Sequence, residues 1–191
     1  MKDSGVGRGS KTTNFYVWPV RAGQSASPAN IPKTGQNKCY DTSGTEITCT
    51  NTGQDGDLLK GVVWPNARFT VDGDCVTDNL TGLLWVKSPD STTRTWADAF
   101  TYANDLTLCG YTDWRLSNRR ELRSLINYGE ANTAMWLNTQ GFSNVKSSLY
   151  WSSTTYAGDT AGAWFFNMPD GALAGELKMN GWYVWPVRGG Q

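Results

Sequence analysis

The residues best able to do chemistry in this 191-residue chain are aromatics, amides and guanidinium groups. Trp164, Phe165, Phe166, Asn167, Asp170, Asn180 and Trp182 fall within one short stretch. Aromatic faces stack on the C–H faces of sugar rings, while amides and carboxylates hydrogen-bond to hydroxyls. In a strand, Trp164 and Phe166 share one face, and Phe165 and Asn167 share the other. Both faces cannot be deep core in a small domain. A ligand surface of Trp164, Asn167, Asp170, Asn180 and Trp182 is therefore expected. The plain alternative is that these aromatics are packing residues, as aromatics usually are.

A second candidate is basic. Arg119, Arg120 and Arg123 lie together, with Arg115 just before them. Arg119 and Arg123 are one helical turn apart, and face outward if Leu122 and Ile126 face inward. Guanidinium forks match sulfate and carboxylate, so the cluster suits an acidic polysaccharide. The plain alternative is a solvated helix face, neutralised in part by Glu121.

Other chemistry is thinly represented. The chain has no histidine, which removes the commonest general base, the Ser-His-Asp and Cys-His arrangements, and the usual zinc ligand. Seventeen basic residues balance seventeen acidic ones, so nothing global attracts nucleic acid or an acidic membrane. No catalytic residue is expected. Asp55-Gly56-Asp57 leaves calcium open, but EF-hand spacing is absent and a turn is the better reading; no other cofactor is implied. Four cysteines allow three pairings, of which Cys39–Cys49 and Cys75–Cys109 are preferred. The first closes a short loop around Ser43-Gly44, and the second ties the start of the main domain to the end of its first helix. Disulfides imply an oxidising compartment, hence a secreted or cell-surface protein. The start, MKDSG, opens no apolar signal-type run, so a signal is expected either upstream of these residues or replaced at the start, and no apolar run is long enough to insert in a membrane.

These residues must be positioned by a turn-rich body, given ten tryptophans and 21 glycines. RFTV and VTDNLTGLLWVK read as short strands, with a turn at Asn79–Gly82. Thr95 caps a helix in TWADAFTYANDL, where Trp96, Ala99, Phe100, Ala103 and Leu106 form one apolar stripe. DWRL is a short strand, and Ser117 is expected to cap a second helix, NRRELRSLINY. Residues 129–148 show no period and read as a loop. Four strands are expected to close the chain as an antiparallel meander: LYWSSTT, GAWFFNM, ALAGELKM and GWYVWPVR. The fold class is α+β, with grouped helices.

One sequence feature stands apart. Residues 1–24 align without a gap to residues 168–191, with eleven identities that include YVWPVR at 16–21 and 183–188. YVWPVR reads as the last strand of a domain. Its proline puts it at an edge or breaks it there. The N-terminal copy reads as the tail strand of a preceding repeat; a local duplication packed on the same domain is the alternative. The expected organisation is thus a tail strand over 1–24, a linker over 25–37, a disulfide-containing lead-in over 38–66 and a main domain over 67–191.

The run RFTVDGDCVTDNLTGLLWVK, then GYTDWRLSNRRELRSLI, YWSST and YVWPVRGGQ, resembles the bacterial DUF1566 domain, the C-terminal domain of Legionella collagen-like proteins. TGQNKCYDTSGTEITCTNTGQDGDLLKGVVWPNARF resembles the segment that often precedes it. The resemblance implies a C-type-lectin-like body, with two helices on a mostly antiparallel sheet and its first and last strands side by side. Ser117 stands where proline is usual. More distant similarity to formylglycine-generating enzymes implies no catalysis here, because those need a late cysteine pair and no cysteine follows Cys109. The resemblance implies an adhesin-like recognition module for a glycan or surface protein. The alternative is an assembly repeat, with homo-oligomers or filaments formed through the N-terminal strand. Collagen-like members suggest trimers, yet no Gly-X-Y stalk is present.

Overall fold

A computed structural model describes residues 9–20 and 31–189. The lead-in begins with a two-stranded hairpin, β1 (Cys39–Tyr40) and β2 (Glu46–Ile47), followed by a single helical turn, α1 (Asp55–Leu58). The Cys39–Cys49 disulfide closes the hairpin as expected. Asp55-Gly56-Asp57 opens that helical turn.

Strands β3 (Phe69–Asp72), β4 (Cys75–Asp78) and β5 (Leu83–Val86) form an antiparallel meander. Helix α2 (Trp96–Asn104) follows, with the Thr95 hydroxyl accepting the Asp98 N–H. The Cys75–Cys109 disulfide then ties β4 to the loop beyond α2. After β6 (Arg115–Leu116) comes α3 (Arg119–Ser124). Its cap is Asn118, not Ser117. The Asn118 side chain accepts the N–H groups of Arg120 and Glu121, and Glu121 reaches back to the Asn118 N–H. This reciprocal box satisfies more helix-end donors than a serine one position earlier could. Ser117 is buried instead, and its carbonyl accepts the Ser153 N–H.

The expected loop over 129–148 contains a further helix, α4 (Thr133–Thr139), capped by Asn132. Ala134 and Leu137 give it only one turn of inward-facing residues, too short to show a period. The body therefore carries α2, α3 and α4 rather than two helices.

Strands β7 (Leu149–Thr155), β8 (Gly162–Asn167) and β9 (Leu173–Leu177) form the second meander. The expected fourth member leaves it. Strand β10 (Pro186–Arg188) joins the first sheet, in the order β3-β4-β5-β10-β6. It lies inside that sheet, antiparallel to both β5 and β6, and pairs with β5 rather than with the body's first strand, β3. Pro186 is tolerated because it is the first residue of the strand, where the missing N–H interrupts no ladder. The fold is α+β, with two antiparallel sheets.

The closing residues also divide the interior. Trp185 and Val187 belong to a core with Trp85, Phe142, Tyr150 and Phe166. Val184 belongs to a second core with Ala99, Ala103, Leu116, Trp151 and Ala163. The Trp185 indole N–H donates to the Val86 carbonyl at 2.8 Å. A bulky aromatic thus buries its face in one core while its polar edge is satisfied by the neighbouring strand.

The N-terminal copy behaves differently. Residues 14–20 form no strand, and Phe15, Tyr16, Val17, Trp18 and Val20 are exposed. Lys11 ties this segment to the lead-in through the carbonyls of Tyr40 and Asp41, at 3.1 and 2.8 Å. Arg21 and residues 25–30 of the expected linker lie outside the described residues.

Candidate functional site

Helix α3 presents the basic surface. Leu122 is buried along with Leu125 and Ile126 just beyond the helix, so Arg120 and Arg123 are turned to solvent. Arg119 is half-buried, with its guanidinium 5.0 Å from the centre of the Trp164 ring. Glu121 does not neutralise this group. Its two carboxylate oxygens accept from Arg115, at 2.8 and 2.6 Å, and one also accepts the Asn118 N–H. The bond to Glu121, opposed by burial, holds the Arg115 guanidinium above its ordinary pKa. Among the described residues, Arg119, Arg120 and Arg123 have no acidic partner.

The meander separates the other expected residues. Trp164 shares the inward face with Phe166; it is buried and packs edge-on to Tyr156 at 4.9 Å. It therefore offers no ligand surface, a correction to the alternation argument: one face of β8 is indeed deep core. Asn167 and Asp170 meet each other in the turn before β9, at 2.6 Å, and Asp170 also accepts the Ala172 N–H. They hold the turn. Asn180 lies in the next turn, its N–H bonded to the Leu177 carbonyl.

Trp182 is half-buried beside Phe165, with ring centres 6.2 Å apart, and beside Trp151 at 6.5 Å. Its indole nitrogen is buried without a partner among the described residues. Trp96 and Phe100 of α2 border the same core and are also half-buried. The i, i+4 spacing of these two suggested core, whereas they stop at its rim. Several rim rings carry a cation on one face: Lys178 over Trp96 at 4.1 Å, and Arg94 over Tyr102 at 3.8 Å. Among the described residues no cation lies over Trp182 or Phe165.

Two cavities lie elsewhere. One of about 220 Å³ sits in the lead-in, lined by Lys33, Gln36, Asp55 and Trp64 among others. One of about 200 Å³ is lined by Tyr156, Asp159, Glu176 and Leu177 among others. None of the expected ligand residues lines either. No group of three or more metal-ligating side chains occurs among the described residues.

Fold and site together define a disulfide-braced α+β domain, completed by a late strand inserted into its first sheet, with a guanidinium-rich helix on its surface. The chain belongs to the Lcl C-terminal domain family, whose model matches residues 74–188. No curated protein matches it. Membership of that family points to a domain of a surface or secreted protein. Two disulfides are consistent with that setting, and no helix among the described residues is long and apolar enough to cross a membrane.

Proposed function

We propose that this domain is a non-catalytic recognition module, adhesin-like, that binds a glycan bearing sulfate or carboxylate groups. The observation behind this reading is the set of arginines on α3. Three guanidinium groups fall within five residues of a chain with zero net charge, and the nearest acid is engaged by Arg115. Charged donors without an internal partner are free to bind an external anion, and the planar fork gives that contact direction. All four cysteines are in disulfides, so no thiolate is available for the chemistry of the distant enzymes.

A neutral contact can accompany the ionic one. Trp182 and Phe165 lie side by side at the rim, with no cation over either ring among the described residues. Sugar stacking belongs there rather than at Trp164.

Heparin-affinity chromatography in a salt gradient tests the ionic part. The Arg119→Ala/Arg120→Ala/Arg123→Ala variant is expected to elute at clearly lower salt with an unchanged circular dichroism spectrum. Screening acts on exposed charges, so retention of the parent should itself fall steeply with salt. Equal retention of parent and variant would remove the α3 surface from the reading.

A further inference from the structure

The sequence YVWPV, residues 16–20 and 183–187, occupies two opposite environments in this chain. At the C-terminal copy, Trp185 and Val187 are 0 % exposed; at the N-terminal copy, Trp18 and Val20 are 89 % and 93 % exposed. Exposed apolar runs of this kind are rare without a partner. The slot that fits this run is already defined by the structure, because the other copy fills it.

The slot lies between β5 and β6. Val187 pairs with Trp85 on one side and Arg115 on the other, and Pro186 pairs with Leu116. Before the strand, Trp182 exchanges main-chain hydrogen bonds with Arg94, and Tyr183 does so with Leu149 and Trp151. Main-chain bonds do not depend on side-chain identity. The side-chain pockets are those of Trp185 and Val187, which Trp18 and Val20 reproduce atom for atom. Phe15 stands in place of Trp182 and keeps an aromatic there.

We infer that residues 15–20 are a spare closing strand, competent to seal the β5/β6 slot of a second copy of this chain. The mode is strand donation, in which main-chain pairing supplies affinity and alternate side chains supply register. It is heterologous, so it joins bodies head to tail. It does not displace a resident strand readily, for two reasons. The resident strand is tethered to its own body. Gly189 follows it at φ +81°, a conformation that suits glycine, whereas the matching residue in the spare copy is Ala22. The spare strand is therefore directed to bodies whose own closing strand is absent or lifted. This inference is independent of the glycan reading.

Three variants of the full chain test it. Trp18→Ala/Val20→Asp disables the spare copy, Trp185→Ala/Val187→Asp disables the resident one, and a quadruple variant disables both. The first is expected to keep the parent Tm. The second is expected to stay folded by circular dichroism and to show concentration-dependent association in sedimentation. The quadruple variant is expected to melt at least about 10 °C lower than the second, since a buried tryptophan and valine then have no substitute. Equal Tm for the second and quadruple variants, whether both folded or both unfolded, overturns the inference. So does a second variant that is folded but monomeric, because the spare strand then serves its own body. A lowered Tm in the first variant also overturns it, because the segment then packs on its own body.

Discussion

Arg115 and Glu121 are locked in a two-point ion pair across the start of α3, at 2.8 and 2.6 Å. The pair turns the helix's one acid towards the strand that precedes it. The outward face is left to Arg120 and Arg123, with Arg119 half-buried beside Trp164. Arg115 also donates to the Gly189 carbonyl at 2.8 Å, so the same side chain links the helix to the end of β10.

Replacing Glu121 by Gln separates the two roles of this acid. Glutamine can still complete the capping box, but the ion pair is lost and the local positive charge rises by one. The pair is partly exposed, so its loss is worth only about 0.5–1 kcal/mol, a Tm decrease of about 1–4 °C. Heparin elution should move to higher salt. Elution at the parent's position would mean that this surface does not set retention.

Asp78 supports a buried cation. Arg68 and Asp78 are both buried and 3.3 Å apart. Arg68 also donates to the Ser124 carbonyl and lies 4.1 Å over Trp64 of the lead-in and 4.8 Å over Phe69. Burial holds this guanidinium below its ordinary pKa, opposed by the charge of Asp78. Asp78→Asn leaves the charge in place without its counterion, and should cost about 3–5 kcal/mol. Urea denaturation should show that loss, and a change under about 1 kcal/mol would show that Trp64 and Phe69 are sufficient partners.

The disulfides should differ in effect. Cys75–Cys109 spans 34 residues and Cys39–Cys49 spans 10. Loop-closure entropy assigns them about 4 and about 3 kcal/mol. The Cys75→Ser/Cys109→Ser variant should lose the larger amount in thermal melts of the main body. The Cys39→Ser/Cys49→Ser variant should chiefly loosen the lead-in hairpin, read as faster proteolysis before residue 66.

Alkaline pH should destabilise the fold through Tyr150. Its phenol is fully buried; burial pushes it well above the ordinary tyrosine value near 10, offset in part by the Lys146 N–H it accepts. A raised acid favours the folded state's neutral form. Its contribution is complete below the unfolded value and is lost as pH rises through and beyond 10. The slope is about 1.4 kcal/mol per pH unit while the unfolded phenol alone is ionised. Tyr150→Phe should flatten that slope above pH 10, measured by denaturation at stepped pH.

Much of the architecture was legible from the residues. The α2 helix with its Thr95 cap, the three strands β7, β8 and β9, and the Cys39–Cys49 loop follow from local signals. The failures were of two kinds. Adjacent candidates for one role, such as Ser117 and Asn118, differ only in which side chain reaches two N–H groups at once. Long-range placement was the harder loss. Nothing local in GWYVWPVR says that it abandons the meander for β5 and β6, since Val184 and Trp185 suit either sheet. Trp164 shows the same limit: alternation gave its face correctly, but not which face the core would claim. The exposure of Phe15 to Val20 was foreseeable only as a consequence of the slot being filled by its twin.

The position of β10 has a bearing on biosynthesis. A strand that follows all its sheet partners in sequence must nevertheless be inserted between two of them. While the polypeptide leaves the ribosome, β5 and β6 have no shared neighbour, and Trp85 lacks its aromatic partner. The domain must wait, open along that seam, until residues 182–188 emerge, so its most vulnerable moment comes just before they clear the ribosome.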